Sequence, residues 1–179
     1  MNKKILALAS AAAIVASPAG AFVYAGAGVG TAKMKIDGDK YGSAASYLVS
    51  TGFELPIPLV PVRAEIEYSK LGSSEDGLDT AVSGVGVNAY VGLPILPLVK
   101  PYLGFGLANL KLEADGTGVD LETGSKVVPQ YMVGLDLSIP LIPVAGGIEY
   151  RYIDGRFDKD GVDYKTKVSA ILAKIRVDF

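Results

Sequence analysis

Apolar and polar residues alternate along most of this chain with a period of two. At the end, Ile171, Ala173, Ile175, Val177 and Phe179 share one parity and Leu172, Lys174, Arg176 and Asp178 the other. Successive side chains of a strand point to opposite faces, so the segment is apolar on one side and largely charged on the other. The same alternation recurs over 22–35, 44–55, 62–71, 81–93, 102–114, 127–139, 145–156 and 165–179, predicting eight strands. In the second, Tyr47, Val49, Thr51, Phe53 and Leu55 oppose Ser46, Ser50, Gly52 and Glu54. In the third, Val62, Ala64, Ile66 and Tyr68 oppose Arg63, Glu65, Glu67 and Ser69. The fourth sets Val85, Val87, Ala89, Val91 and Leu93 against Gly84, Gly86, Asn88 and Tyr90. The sixth sets Val127, Tyr131, Val133, Leu135, Leu137 and Ile139 against Gln130, Met132, Gly134, Asp136 and Ser138, and the seventh Ile148, Tyr150 and Tyr152 against Glu149 and Arg151.

Two segments break the rule. The first is glycine-rich (Gly26, Gly28, Gly30), which leaves its faces ambiguous. In the fifth, Leu103, Phe105 and Leu107 share a parity that Leu110 and Leu112 do not. Either a β-bulge near Ala108-Asn109 restores them to the apolar face, or Asn109 and Lys111 lie above a membrane.

The connections come in two kinds. Those after the first, third, fifth and seventh strands (36–40, 72–77, 115–118 and 158–161) are rich in Gly and Asp and read as solvated loops. Those after the second, fourth and sixth (56–61, 94–101 and 140–143) are short, apolar and stiffened by proline, which cannot donate to a ladder. Strict alternation puts the polar loops at one end of a barrel, and the proline turns and both termini at the other. Pro58-Leu59-Val60-Pro61-Val62 before Ile66-Glu67-Tyr68 is echoed by Pro140-Leu141-Ile142-Pro143-Val144 before Ile148-Glu149-Tyr150, a weak internal repeat.

The amino terminus changes the picture. Lys3 and Lys4, the apolar stretch from Ile5 to Ala16, Ser17-Pro18 and the small-residue motif Ala19-Gly20-Ala21 form a secretory leader. The expected division is a cleaved leader over 1–21 and a barrel over 22–179, with a second plausible cut after Ala25. The apolar stretch falls short of the ~20 residues a spanning helix needs. Losing Lys3 and Lys4 takes the formal charge from −2 to −4, and no basic patch suggests nucleic acid. Cysteine is absent, so an exported chain of this kind is held by hydrogen bonds and packing.

Export plus alternation gives the fold class: all-β, an eight-stranded antiparallel up-and-down transmembrane β-barrel. Mid-strand charges facing hydrocarbon cost about 2–4 kcal/mol each for Lys or Arg, so the charged parity faces inward. The expected lumen network is Glu54, Arg63, Glu65, Glu67, Asp136, Glu149, Arg151, Lys174, Arg176 and Asp178. A lipocalin-like soluble barrel would show the inverse, an apolar lumen and a polar exterior. Tyr47, Phe53, Tyr68, Tyr131 and Tyr152, with Phe179, are where an interfacial aromatic girdle would sit.

With these strands placed, the chain resembles the small eight-stranded outer-membrane barrel family of the OmpA transmembrane domain, OmpX and opacity-protein type. The resemblance covers the whole chain after the leader. It rests on architecture and on the ending Lys174-Ile175-Arg176-Val177-Asp178-Phe179, in which Ile175, Val177 and Phe179 look like the signal read by the barrel-assembly machinery. It implies the bacterial outer membrane, periplasmic termini and extracellular polar loops. The implied partners are outer-membrane lipid and lipopolysaccharide, the assembly machinery and an extracellular ligand at the loops, with the protein a monomer. Unlike full OmpA-type proteins, the chain stops at the barrel.

Three functional classes follow. Outer-membrane lipid-modifying enzymes of this size resemble one another in using His with Ser, and this chain has no His. Glu65 and Glu67 share a face and carboxylates can act as acid or base, but filling the barrel by pairing with Arg63, Arg151 and Arg176 is the better reading. Without His or Cys no transition-metal site is convincing, Asp158-Lys159-Asp160-Gly161-Val162-Asp163 lacks the Glu of a Ca²⁺ loop, and no cofactor is expected. An eight-stranded interior is only just wide enough for side chains, which permits a narrow or gated channel and excludes a broad porin. A conduit for small apolar molecules would want an apolar lumen. The expectation is therefore a structural barrel with a surface-interaction or adhesion role, with the channel as its alternative.

Overall fold

The computed structural model describes residues 22–179 except 56, 58–59, 76–77, 94–97, 117–118, 139–141 and 160–161. The expected leader lies outside the described residues. The strands are β1 (Phe22–Ile36), β2 (Asp39–Leu55), β3 (Val62–Glu75), β4 (Leu78–Gly92), β5 (Val99–Gly116), β6 (Val119–Glu122), β7 (Lys126–Ser138), β8 (Val144–Lys159) and β9 (Val162–Asp178). All pairings are antiparallel, and the order β4-β3-β2-β1-β9-β8-β7-β5 closes through β4–β5. The closed wall thus has the eight strands expected; the short β6 was not expected and pairs only with the far end of β5. Closure matters because a sheet in hydrocarbon cannot leave an edge of unpaired N–H and C=O groups. The seam between β1 and β9 runs from Tyr24↔Asp178 to Ile36↔Thr166, and the Phe179 N–H donates to the Val23 carbonyl at 2.8 Å.

The eight strands of the wall, β7 excepted, are longer than the alternation indicated. They run from 13 residues in β7 to 18 in β5, against the about 9–11 that cross a bilayer. The surplus comes mostly from stretches expected to be loops. Of 36–40, only Asp37 and Gly38 form the turn, with φ of 50° and 102°, the two positive angles of a type I′ hairpin. Replacing Gly38 with Ala is expected to cost about 1 kcal/mol, read as a lower urea midpoint, because an L side chain crowds its carbonyl in that region. The polar stretches after β3, β5 and β8 likewise continue as strand to Glu75, Gly116 and Lys159.

At the opposite end the prolines contribute acceptors. The carbonyls of Pro61, Pro101 and Pro143 accept from the N–H groups of Gly92, Leu93 and Asp178 at 2.9, 2.8 and 2.9 Å. A missing N–H costs nothing where only the carbonyl is used.

The bulge considered near Ala108-Asn109 is absent: β4 and β5 pair without a shift from Leu78↔Gly116 to Gly92↔Tyr102. The register slips instead at Gly42 in β2, opposite Lys33 and Met34. Leu110 and Leu112 accordingly point into the barrel, fully buried, while Lys111 points out. Glycine-rich β1 resolves the same way, with Tyr24, Ala32 and Met34 inside and Val29 65% exposed outside.

Candidate functional site

The inward face divides into two tiers. Toward the end that carries the termini lies a charged network. Its centre is Arg151, wholly buried, whose guanidinium grips Glu67 and also donates to Glu149 Oε1 at 2.6 and 3.1 Å. The bidentate fork of Arg suits this role, satisfying two carboxylates from one rigid plane. Lys174 Nζ donates to Glu149 Oε2 at 3.1 Å and stands 3.7 Å from Glu65. Arg63 pairs with Asp136. Arg176 reaches Glu54 at 3.3 Å, Asp136 at 3.4 Å and Asp178 at 2.8 Å. All ten residues of the expected lumen set meet here.

Alternation alone did not assign the tyrosines to this network. The Tyr24 and Tyr90 hydroxyls donate to the two oxygens of Glu65, each at 3.0 Å, and the Tyr102 hydroxyl donates to Glu149 at 3.0 Å. The Arg63 guanidinium lies 4.6 Å from the Tyr90 ring centroid and 4.9 Å from that of Tyr102. Each ring lies over a glycine directly opposite in register: Tyr24 over Gly52, Tyr90 over Gly104 and Tyr102 over Gly134. A Cβ on Gly104 or Gly134 would come within 2.5 or 2.4 Å of its ring, so these glycines are the space the phenols occupy. A signal was available, since Tyr102 shares its parity with Gly104 and Gly106, opposite Leu103 and Phe105. Above the ion pairs, Gln130 Nε2 donates to Asn88 Oδ1 at 2.6 Å, a neutral step toward the next tier.

That second tier, toward the hairpin end, is apolar. Met34, Leu48, Leu71, Val82, Leu110, Leu112, Ile153, Phe157, Val168 and Leu172 are all at most 1% exposed and pack as one cluster. The charged filling expected of the whole lumen is thus confined to one half. Outside the apolar tier the wall is polar: Lys70 and Lys111 converge on Glu113 at 3.6 and 2.7 Å. This half has the polarity of a soluble barrel, apolar within and charged without. The other half is the reverse, with Ile66, Val87, Leu103, Val133, Leu135, Ile148, Ile171 and Ile175 exposed on the outside. Two voids open on the terminal side of the lumen. The larger, about 290 Å³ and open to solvent, is lined by Tyr24, Ser50, Arg63, Glu65, Lys174 and Arg176 among others.

Tyr47, Tyr131 and Phe179 project outward and are well exposed, and Phe53, Tyr68 and Tyr152 are half-buried on the wall. Ile175, Val177 and Phe179 also face out. Glu65 and Glu67, the candidate carboxylate pair, are engaged by two phenols and by Arg151 respectively.

A closed barrel with an apolar outer belt and charged, ion-paired side chains inside is the architecture of a protein that crosses a membrane by strands. The family model for the outer membrane protein beta-barrel domain matches residues 5–175, and the chain belongs to that family of the bacterial outer membrane. Its fold is similar to the crystal structure of Neisserial surface protein A, with 20% identity over 88% of this chain and 97% of that one and a TM-score of 0.68. It is also similar to Ail, the attachment invasion locus protein of Yersinia pestis, in complex with the heparin analogue sucrose octasulfate. There the identity is 18% over 87% of this chain and 98% of that one, with a TM-score of 0.54. Among curated proteins none matches this chain in sequence.

Proposed function

We propose that this chain is a non-conducting, non-catalytic outer-membrane barrel with a structural and surface-interaction role, its termini periplasmic and its hairpin rim extracellular. The observation that carries this reading is the two-tier filling of the lumen. A permeating ion would have to part the Arg151–Glu67–Glu149 cluster and then cross a layer packed mostly with Leu, Val, Ile, Met and Phe side chains, where the scattered Ser46, Ser69 and Thr166 hydroxyls cannot replace its water. The orientation rests on how far the chain projects beyond the apolar belt: at the hairpin end the strands and the β5–β6–β7 excursion run on past it, as extracellular segments of such barrels do, while the terminal end closes directly into the proline connections. We place the leader cut after Ala21, because a cut after Ala25 would remove Tyr24, whose hydroxyl donates to Glu65. The outward, exposed Ile175, Val177 and Phe179 are open to the assembly machinery. With a two-residue turn joining β1 to β2, part of the presented surface is strand wall rather than loop.

Single-channel recording in planar bilayers tests this. The expected result is a folded, heat-modifiable barrel with no stepwise current. Steps whose size changes with Glu67→Gln or Arg176→Gln would overturn the plugged lumen in favour of a gated ion path.

A further inference from the structure

The weak repeat in the sequence marks a place in the barrel. β3 and β8 lie four strands apart in the eight-stranded wall, on opposite sides of the lumen. Matched along the repeat, Val62, Ile66, Glu67 and Tyr68 on β3 correspond to Val144, Ile148, Glu149 and Tyr150 on β8. Two inward positions break the match: β3 carries Arg63 and Glu65 where β8 carries Ala145 and Gly147. Glycines of β1 face the same space. In register, the inward residues run Ser50, Gly26, Arg176, Ala145 and, one step deeper, Leu48, Gly28, Lys174, Gly147. Each row holds one long cation between two residues too small to cover it. The larger void of the lumen, about 290 Å³, opens here against Gly26, Ala145 and Gly147.

Donors and acceptors around this void do not balance. Its two carboxylates are engaged: both oxygens of Glu65 accept phenol hydroxyls, and Asp136 holds Arg63 and Arg176. Donors are left over. The Ser50 hydroxyl and the Arg63 Nε are buried and have no hydrogen-bond partner among the described residues. Both residues line the void. Buried polar atoms are nearly always paired, so two orphans on one cavity call for an acceptor from outside. Water would bring two more protons to a place short of acceptors, whereas an anion brings acceptors alone. Arg63, Lys174 and Arg176 line the void against Glu65 and Asp136, so one negative charge balances it. Its size falls at the bottom of the roughly 300–1,000 Å³ of sites for drug-sized molecules, which limits the ligand to a few heavy atoms. We propose that this cup binds one small carboxylate, a free acid or an acidic side chain, entering from the end that carries the termini, with Ser50, Arg63 and Arg176 as its donors. The cup is remote from the hairpin rim to which the surface role is assigned, and it stands whether or not that role does.

The test follows backbone amides and the Arg63 Nε–H by NMR in the full mature chain in lipid nanodiscs, as formate replaces chloride at constant ionic strength. Arg63, Gly26 and Gly147 are expected to shift together and saturate, while Leu110 does not move. Ser50→Ala should leave the urea midpoint in chloride unchanged, since the hydroxyl it removes has no partner, and should weaken formate binding about tenfold. Ser46→Ala removes a hydroxyl that accepts the Gly72 N–H in the apolar half, and should bind formate as the unsubstituted protein does. Ala145→Glu puts a carboxylate in register with Arg176; it should raise the midpoint in chloride and abolish the response to formate. Saturation by formate alone makes the ligand a free acid, and saturation by N-acetylglutamate amide as well makes an acidic side chain a ligand too. Shifts that never saturate, or that Ser50→Ala leaves as they were, would overturn the site.

Discussion

Replacing Arg151 with Met is expected to destabilise the folded barrel by about 3–5 kcal/mol, measured as a lower urea midpoint in lipid vesicles. The reason is asymmetry. Arg151, Glu67 and Glu149 have no exposed side-chain surface, and each was dehydrated to be there. Together they satisfy one another; without the guanidinium, Glu67 loses its cation, while Glu149 keeps Lys174 and the Tyr102 hydroxyl on one oxygen and loses its partner on the other. The loss therefore reflects a stranded Glu67 and a half-satisfied Glu149 more than the worth of the original pairs. Adding Glu67→Gln and Glu149→Gln to Arg151→Met should recover most of the stability, since neutral amides need no counter-ion. If the triple variant were as unstable as the single one, side-chain packing rather than charge would be what Arg151 provides.

Replacing Leu110 with Ala is expected to cost about 2–5 kcal/mol, and Leu110→Asp to prevent the heat-modifiable form altogether. Leu110 is fully buried among Leu48, Leu71, Val82 and Leu112, so truncation leaves a cavity and an aspartate there would be an unpaired charge. Leu103, seven residues earlier on the same strand, is 63% exposed on the outside, and Leu103→Ala should cost much less. The pair of measurements distinguishes the two readings of the fifth strand. A bulge at Ala108-Asn109 would make Leu110 an outward residue as tolerant as Leu103.

That strand shows where sequence reading stops. Pleat parity is a property of the backbone and runs unbroken through β5. Which parity is apolar is a property of the solvent on each side. Where lipid is outside, Leu103, Phe105 and Leu107 belong outside; where water is outside, Leu110 and Leu112 belong inside. The sequence records the exchange as a phase error, and a bulge is the local way to remove it. The hairpin ends were missed for a related reason. Asp and Gly mark turns, but a ladder of backbone hydrogen bonds continues through them while its neighbour continues, as β8 and β9 do from Val144↔Val177 to Lys159↔Val162.

Sequence by itself determined the strands of the wall, the face that meets the outside across the belt, the two kinds of connection and the residues of the charged set. Each of these depends on a period of two or on the turn chemistry of Pro, Gly and Asp, which act between near neighbours. Tertiary structure alone decided the partners: Arg151 with Glu67, Arg63 with Asp136, Tyr24 with Glu65, and Lys35 between Lys40 and Lys167. It also decided that the lumen is half charged and half apolar. Those outcomes follow from closure, because curling the sheet brings β1 beside β9 and β3 across from β7 and β8, and no local pattern records which inward side chains then meet.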